Sequence, residues 1–269
     1  MYLIKAIIDI LIILLFLRLL VRPNESYFNQ IFSLLYRITD PLLIPSRYLA
    51  RNNTVRIFLV ILCLVALRGF VYALFGSISP LSGLGYSFLG LFQLLFQFYM
   101  VIWFVSVLSR YDSGVYLMNI AQRSFLPFNI VSAGLGIPGR HFYLFIFFFC
   151  WILYGVLSFL IYNVILMTTN ASFSIVHGLA EGLLLFIRLF PGFFSLVIII
   201  GAILSWVSPD PYNPVVQTIY SISEPLLDPF RKFIPNLGGL DISPILAIIC
   251  FQVIGKLGQR LVAGILVAI

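Results

Sequence analysis

Two stretches of the chain share a pattern of residues that can bind polar or charged groups. Residues 38–47 read I-T-D-P-L-L-I-P-S-R, and residues 222–231 read I-S-E-P-L-L-D-P-F-R. A hydroxyl caps free backbone N–H groups, and a carboxylate or a guanidinium engages a partner or a lipid headgroup. Because both copies lie between long apolar runs, the pattern indicates a duplicated membrane-surface element rather than a duplicated active site. The candidate residues are Thr39, Asp40, Pro41, Pro45 and Arg47 in the first copy, and Ser223, Glu224, Pro225, Pro229 and Arg231 in the second.

Charged residues also interrupt the apolar runs, namely Asp9, Arg18, Arg68 and Arg188. An arginine at the centre of a bilayer costs roughly 2.5–3.5 kcal/mol on insertion scales, so each should reach the interface or find a partner. Arg18 lies near the end of a run and is predicted to reach the interface. Asp9 is predicted to pair with Lys5 at i, i+4 spacing. Structural pairing is the favoured interpretation, and an ion or substrate path is the alternative.

Sequence motifs of known chemistry are absent. The sequence contains no H-E-x-x-H, no G-x-S-x-G and no Walker loop. Residues 134–139 fit G-x-G-x-x-G by spacing, but they follow no predicted strand and are interpreted as a loop. His141 and His177 are isolated, and the three cysteines are far apart inside apolar runs. We therefore predict no catalytic residue, no cofactor and no metal site, and hence that the chain is not an enzyme.

The composition places most of the chain in lipid. The sequence is 62% hydrophobic and 9% charged, with a mean hydropathy of +1.11, whereas a soluble domain is about half apolar and about a quarter charged. The net charge of +7 is spread over loops and span ends without a basic block, which argues against nucleic-acid binding. The predicted partners are the lipid bilayer with its anionic headgroups and other membrane proteins. Homo-oligomer formation is left open.

Apolar runs of about 20 residues predict an all-α membrane protein with about six transmembrane helices. The intervening long loops, 22–54, 109–141 and 208–243, carry most of the arginines. The positive-inside rule therefore places these loops in the cytoplasm and both termini outside, giving three parallel hairpins in a bacterial-type inner membrane. The N-terminal run resembles a signal peptide, but Asp9 interrupts it, so it is predicted to be a retained span. The predicted spans are residues 6–21, 55–75, 83–108, 142–167, 182–207 and 244–269.

The hairpins divide the chain into three predicted segments. Residues 1–78 and 171–269 each contain one copy of the pattern and are predicted to be repeats. Residues 79–170 form the middle hairpin, which lacks the pattern. It is either a decayed third repeat or an insertion.

Both loops with the pattern predict a short helix that lies in the membrane interface. In residues 31–38 the apolar side chains recur at i, i+3, i+4 and i+7, which is typical of an amphipathic helix. Asn213 followed by Pro214 predicts an N-cap with proline at the first helical position. Proline disfavours the α-helical conformation of the residue before it. Each helix is therefore predicted to break at its Asp-Pro or Glu-Pro step and to form a rigid corner.

The polar residues after the second copy are predicted to meet headgroups or to start the last span. Lys232 extends the basic end of the pattern, and Gly238-Gly239 supplies a turn. Asp241 belongs to a G-G-L-D-I-S-P run, in which Ser243 before a proline predicts the cap of the final helix.

These C-terminal runs resemble the YggT/YlmG family of small membrane proteins. The similarity is carried by A-I-L-S-W-V-S-P-D-P-Y-N-P (202–214), S-E-P-L-L-D-P-F-R-K-F-I-P (223–235) and G-G-L-D-I-S-P (238–244). Residues 9–51 resemble the family's first repeat more weakly. Typical members have two repeats and four spans, so the middle hairpin departs from the family. Members usually carry arginine where Gly201 stands, and the first copy keeps one as Arg18.

The resemblance implies a class of bacterial or plastid-type membrane accessory protein. Members have been associated with cell-division regions, with assembly of membrane complexes in plastids and with osmotic-stress tolerance, without an agreed biochemical activity. The favoured hypothesis is a non-enzymatic scaffold or assembly factor for membrane complexes or envelope processes. The alternative is an ion transporter or channel subunit, against which the parallel repeats and surface prolines argue.

Overall fold

The computed structural model describes residues 2–27, 30–76, 78–108, 122–166, 173–207, 213–233 and 241–268. The elements assigned in these residues are helical. Short 3₁₀ helices cover Pro23–Tyr27, Pro45–Tyr48 and Gly139–His141. The α-helices are α1 Tyr2–Leu20, α2 Gln30–Leu43, α3 Asn53–Gly76, α4 Pro80–Leu108, α5 Leu126–Gly134, α6 Phe142–Leu166, α7 Ile175–Val207, α8 Pro214–Phe233 and α9 Ser243–Ala268.

Within these residues, five helical segments are long and apolar enough to cross a membrane. They are Asn53–Gly76, Pro80–Leu108, Gly139–Ile165, Ile175–Ser205 and Ser243–Gly264. The all-helical, membrane-type prediction is therefore confirmed. The predicted first span forms α1 but is not among the five, because Lys5, Asp9 and Arg18 lie within its 19 residues. The fifth span begins at Ile175, earlier than predicted.

The predicted break in the two motif helices is wrong. Helix α2 continues through Pro41, and α8 continues through Pro225 and Pro229. These prolines lie on the exposed side of their helices, so the carbonyls that lose an intrahelical N–H partner also lie on that side. This placement makes an internal proline tolerable at the cost of a kink. In the first copy the chain leaves the α-helix only at Leu43, and Pro45 starts a 3₁₀ turn.

The contacts divide the chain into two compact units. One contains residues 1–98 and 156–174, and the other contains 99–155 and 175–269. The boundaries between the units fall within α4 and α6, whereas the boundaries of the predicted segments fall between hairpins. The predicted repeats at 1–78 and 171–269, and the status of residues 79–170, stay predictions.

Helices α1 and α3 form the centre of the first unit. Buried apolar residues recur one turn apart on each helix and meet in a single cluster, which α4 extends with partly buried side chains. Because the buried residues recur with the helical period, each helix packs along one stripe, although apolar residues lie on all of its sides. The buried members are Ile8, Ile12, Leu15 and Phe16 of α1, Ile57, Ile61 and Val65 of α3, and Leu43 of α2.

Helices α7 and α9 form the main pair of the second unit, with α8 against both. Small residues set the approach of the pair: a Cβ on Gly255 would lie 2.6 Å from the ring of Pro191, and one on Gly258 would lie 3.2 Å from Ile187. Small residues at helix interfaces allow close packing where lipid offers no hydrophobic driving force. The cluster beside them consists of Phe104, Phe194, Ile198, Leu226, Leu227 and Ala247.

Candidate functional site

An arginine at the centre of the first unit joins three helices. Arg68 of α3 is 1% exposed and forms an ion pair with Asp9 of α1. Its Nε donates to the Ser87 hydroxyl of α4 at 3.0 Å, and its Nη2 donates to the Ser87 carbonyl at 2.5 Å. The Ser87 hydroxyl in turn donates to the carbonyl of Val65 at 2.6 Å. A buried guanidinium is tolerated only when it is paired and hydrogen-bonded, and this arrangement meets both conditions.

The position of Gly90 keeps room for this guanidinium. A Cβ added to Gly90 would lie 3.1 Å from Nη2 of Arg68. The predicted pairing of Asp9 with Lys5 is wrong, because the packing of α1 on α3 brings the arginine to the acid. This outcome supports the structural-pairing interpretation of both charges.

A second network ties α1 to the first motif helix. Arg18 donates from Nη1 to the Thr39 hydroxyl at 2.5 Å and from Nη2 to a carboxylate oxygen of Asp40 at 2.6 Å. Its guanidinium carbon lies 4.4 Å from the ring centroid of Tyr36, a cation–π distance. Arg18 is 7% exposed and pairs with the motif, so the prediction that it reaches the interface is wrong. Thus three motif-side groups hold one guanidinium.

Local bonds fix the residues that hold Arg18. The Thr39 hydroxyl donates to the carbonyl of Leu35 at 2.7 Å, one turn back along α2. The Tyr36 hydroxyl donates to the carbonyl of Val21 at 3.0 Å. Burial raises the pKa of Tyr36, although the nearby charge of Arg18 lowers it, so the phenol stays a neutral donor.

The motif hydroxyls are buried rather than facing lipid or a partner. Thr39, Ser223 and Ser243 are 0%, 1% and 1% exposed, respectively. Thr39 and Ser223 lie inside continuous helices, so the predicted capping of a helix break by these hydroxyls does not occur. Pro41, Pro45 and Arg47 are exposed, and Asp40 is half-buried.

Helix α8 has one buried side and one exposed side. Ile222, Ser223, Leu226 and Leu227 are buried. The exposed residues are Glu224, Pro225, Asp228, Pro229, Arg231 and Lys232. We call this second set the α8 outer face. The predicted start of the helix at Pro214, after Asn213, is confirmed.

Asp241 links α8 to the start of α9. It accepts the backbone N–H of Ser243 at 2.9 Å and the Nε–H of Arg231 at 3.0 Å. Burial raises its pKa, but the hydrogen bonds from Ser243 and Arg231 together with the charge of Arg231 outweigh this, so the pKa lies below the ordinary value. The capping function predicted for Ser243 therefore belongs to Asp241. The predicted Gly238-Gly239 turn lies outside the described residues.

Arg188 is exposed on α7. Among the described residues no acid forms an ion pair with it, so the structural pairing favoured for the charges in apolar runs is not seen at Arg188. The adjacent Ile187 faces Gly258 of α9, so the next residue turns away from this helix pair. Among the described residues, no group of His, Cys, Asp and Glu is arranged to hold a metal ion.

Sequence reasoning missed the cross-helix partners. Ser87 and Gly90 gave no signal, because a serine or a glycine in an apolar run is common. Tyr36 gave one, since the offset between the two copies pairs it with Tyr220. Oppositely charged residues in separate apolar runs were the available signal for the pair between Asp9 and Arg68, since unpaired charges there are costly.

Comparison with known proteins places the family similarity in the C-terminal part. The CCB3/YggT family model matches residues 180–262, which confirms the resemblance to the YggT/YlmG family. An uncharacterised protein of Pseudomonas aeruginosa is 53% identical over 73 residues, covering 27% of this chain and 35% of that protein. The uncharacterised protein YggT of Escherichia coli is 33% identical over 73 residues, covering 27% and 38%.

The similarity extends to a plant protein. The chloroplastic YlmG homolog protein 2 of Arabidopsis thaliana is 37% identical over 68 residues, which is 25% of each chain. The chain therefore spans between a quarter and about two fifths of the length of these three relatives. No solved structure matches the chain.

Proposed function

Because residues 180–262 match the CCB3/YggT family, we propose that this membrane-type helical protein is a non-enzymatic scaffold or assembly factor for membrane complexes or for cell-division and envelope processes. The observation that carries the proposal is the α8 outer face. Its exposed acidic, basic and proline side chains stand on a helix whose opposite side is packed. A charged face on a helix that is already packed along its other side suits recognition of a partner, since the helix does not have to order on binding.

The arrangement of the other charges favours this proposal over ion transport. Asp9 and Arg68 pair with each other, and Arg18 is held by Thr39 and Asp40. A charge fixed in such a pair stabilises the helix packing and is not available to a passing ion. Arginines would also repel cations from a path that they lined.

The proposed setting is the inner membrane of a bacterial-type cell. The arginine-rich loops are proposed to be cytoplasmic and the termini to lie outside. In this orientation α2 and α8 belong to the cytoplasmic side, where the α8 outer face meets anionic headgroups or the loops of other membrane proteins.

The test compares charge reversal on α8 with the same change elsewhere. Lys232→Glu alters the α8 outer face, and Arg188→Glu reverses an exposed arginine on α7 as the control. Complexes extracted from cells in mild detergent are sized by native electrophoresis, and their components are quantified. We expect Lys232→Glu to lose a defined membrane-protein component that both the parent and Arg188→Glu retain.

A second measurement addresses the transport alternative. The purified chain is reconstituted in liposomes, and potassium and sodium flux is followed. We expect no flux above that of protein-free vesicles. A saturable cation flux that Glu224→Gln abolishes, or identical complexes in all variants, would overturn the proposed function.

A further inference from the structure

The first motif copy encloses a guanidinium that the chain itself supplies. Arg18 lies over the Tyr36 ring, and its two terminal nitrogens bind the hydroxyl of Thr39 and the carboxylate of Asp40. We call Tyr36, Thr39 and Asp40 the receiving residues, because their ring, hydroxyl and carboxylate contact the guanidinium. They occupy positions i, i+3 and i+4 of α2. This spacing places all three along one side of a helix.

The second copy has the same receiving residues without the arginine. Tyr220, Ser223 and Glu224 occupy positions i, i+3 and i+4 of α8. At the offset that pairs Tyr36 with Tyr220, Arg18 pairs with Ala202, which follows Gly201 on α7. Two small residues thus stand where the first copy has a long cation.

The structure has a cavity at this place. Its volume is about 590 Å³, and both small residues, the tyrosine, the serine and the glutamate line it. The backbone of α7 comes so close to α8 that a Cβ on Gly201 would lie 2.9 Å from the Ser223 hydroxyl oxygen. We call this cavity the second-copy pocket. Its volume is within the range of roughly 300–1,000 Å³ that is usual for small-ligand sites.

The charges around the second-copy pocket favour a cation. Arg231 and Asp241 also line it, but they bind each other at 3.0 Å. The Nη1 atom of Arg231 also lies 4.0 Å from a carboxylate oxygen of Asp228. Among the residues that the structure describes, no cation pairs with Glu224. The lining residues therefore carry one net negative charge at neutral pH.

We propose that the second-copy pocket binds an alkylguanidinium group supplied from outside the chain. Glu224 accepts its N–H groups, Ser223 accepts a further one, and Tyr220 offers its ring, as the first copy does for Arg18. Apolar walls that include Ile203 and Ile248 receive the alkyl stem. The group comes either from an arginine side chain of another polypeptide or from a free guanidino compound. The inference goes beyond the proposed accessory function, since it names the chemical group that the pocket binds.

The experiment measures binding of ethylguanidinium to the purified full chain in lipid nanodiscs by calorimetry, with ethylammonium as the comparison cation. We expect saturable binding of ethylguanidinium that is at least tenfold tighter than that of ethylammonium, since a planar fork of N–H groups matches a carboxylate and a hydroxyl better than a point charge does. Absence of saturable binding, or equal binding of both cations, would overturn the proposal.

Three variants assign the binding to the second-copy pocket. Glu224→Gln should weaken binding at least tenfold, whereas Asp228→Asn removes an acid from the same helix outside the pocket and should leave it within twofold. Ala202→Arg supplies a guanidinium from within the chain, so it should abolish binding and raise the unfolding temperature. If Asp228→Asn weakens binding as much as Glu224→Gln does, the interaction is general charge attraction and the proposal fails.

Two further probes distinguish the sources of the guanidinium. N-acetylarginine methylamide represents an arginine within a polypeptide, and agmatine represents a free compound. Tighter binding of the first than of ethylguanidinium supports a polypeptide source, and tighter binding of agmatine supports a free ligand. Identical complexes in cells for the parent and Lys232→Glu, together with intact ethylguanidinium binding, would contradict only the proposed scaffold function, so the two proposals fail separately.

Discussion

Replacing Arg68 with leucine tests whether the first unit depends on its central charge network. The arginine side chain is 1% exposed and that of Asp9 is 20% exposed, so the substitution leaves a largely buried carboxylate without its counter-ion. The Ser87 carbonyl also loses its donor from Nη2. Removing one partner of a buried pair costs about 3–5 kcal/mol, and we expect a free energy of unfolding lower by this amount.

The double variant Asp9→Leu with Arg68→Leu makes the prediction specific. Removing both charges leaves no unpaired ion, and replacement of a whole buried pair by apolar residues is often neutral or stabilising. We therefore expect the double variant to be more stable than Arg68→Leu alone. Arg188→Leu is the matched control, because it removes an exposed arginine from a helix that is long and apolar enough to cross a membrane, and its free energy of unfolding should not fall.

The assay is reversible unfolding in mixed detergent micelles, followed by far-ultraviolet circular dichroism. All five proteins (the parent, the two single variants, the double variant and Arg188→Leu) are compared at one detergent composition, and the coupling energy is taken from the double-mutant cycle. The reasoning is refuted if Arg68→Leu is no less stable than Arg188→Leu, or if the effects of Asp9→Leu and Arg68→Leu simply add.

Further predictions concern the motif helices and their orientation. Arg18→Lys should lose about 1.5–3 kcal/mol of unfolding free energy in the same assay, because an ammonium cannot reproduce the forked contact that includes Asp40; an unchanged value would contradict this. Asp241→Ala should remove a helix cap and cost about 0.5–2 kcal/mol. The folded-state pKa of Asp241 lies below the ordinary carboxyl pKa of 3.8. The difference in unfolding free energy between the parent and Asp241→Ala should therefore be fully present above pH 3.8 and disappear as the pH falls through the folded-state pKa. A difference that persists in acid would oppose this assignment. Tyr48→Cys and Lys232→Cys, each in a chain without native cysteines, place reporters at exposed positions, and both should resist impermeant thiol reagents in intact cells; labelling from outside would reverse the proposed orientation.

The sequence by itself determined the class of the protein and the location of its informative residues. Apolar runs too long for a soluble core predict membrane-type helices, and the composition alone requires this because so few residues are polar. The family resemblance came from ordered proline, acid and arginine positions near the C-terminus, and the match of residues 180–262 confirms it. The start of α8 at Pro214 was also readable, because proline after an asparagine fits the first turn of a helix.

Tertiary packing decided how the charges are used. Local spacing gave Asp9 a neighbour in Lys5, but the approach of α1 to α3 gave it Arg68, and a partner from another helix has no sequence period that marks it. Local rules also required a break before Pro41 and Pro225, yet both helices continue, because their other side is held by buried contacts and the prolines lie outside. In one motif copy α1 presents Arg18 to the motif helix, and in the other copy α7 presents small residues and leaves a cavity. Only the folded chain brings these helix surfaces together.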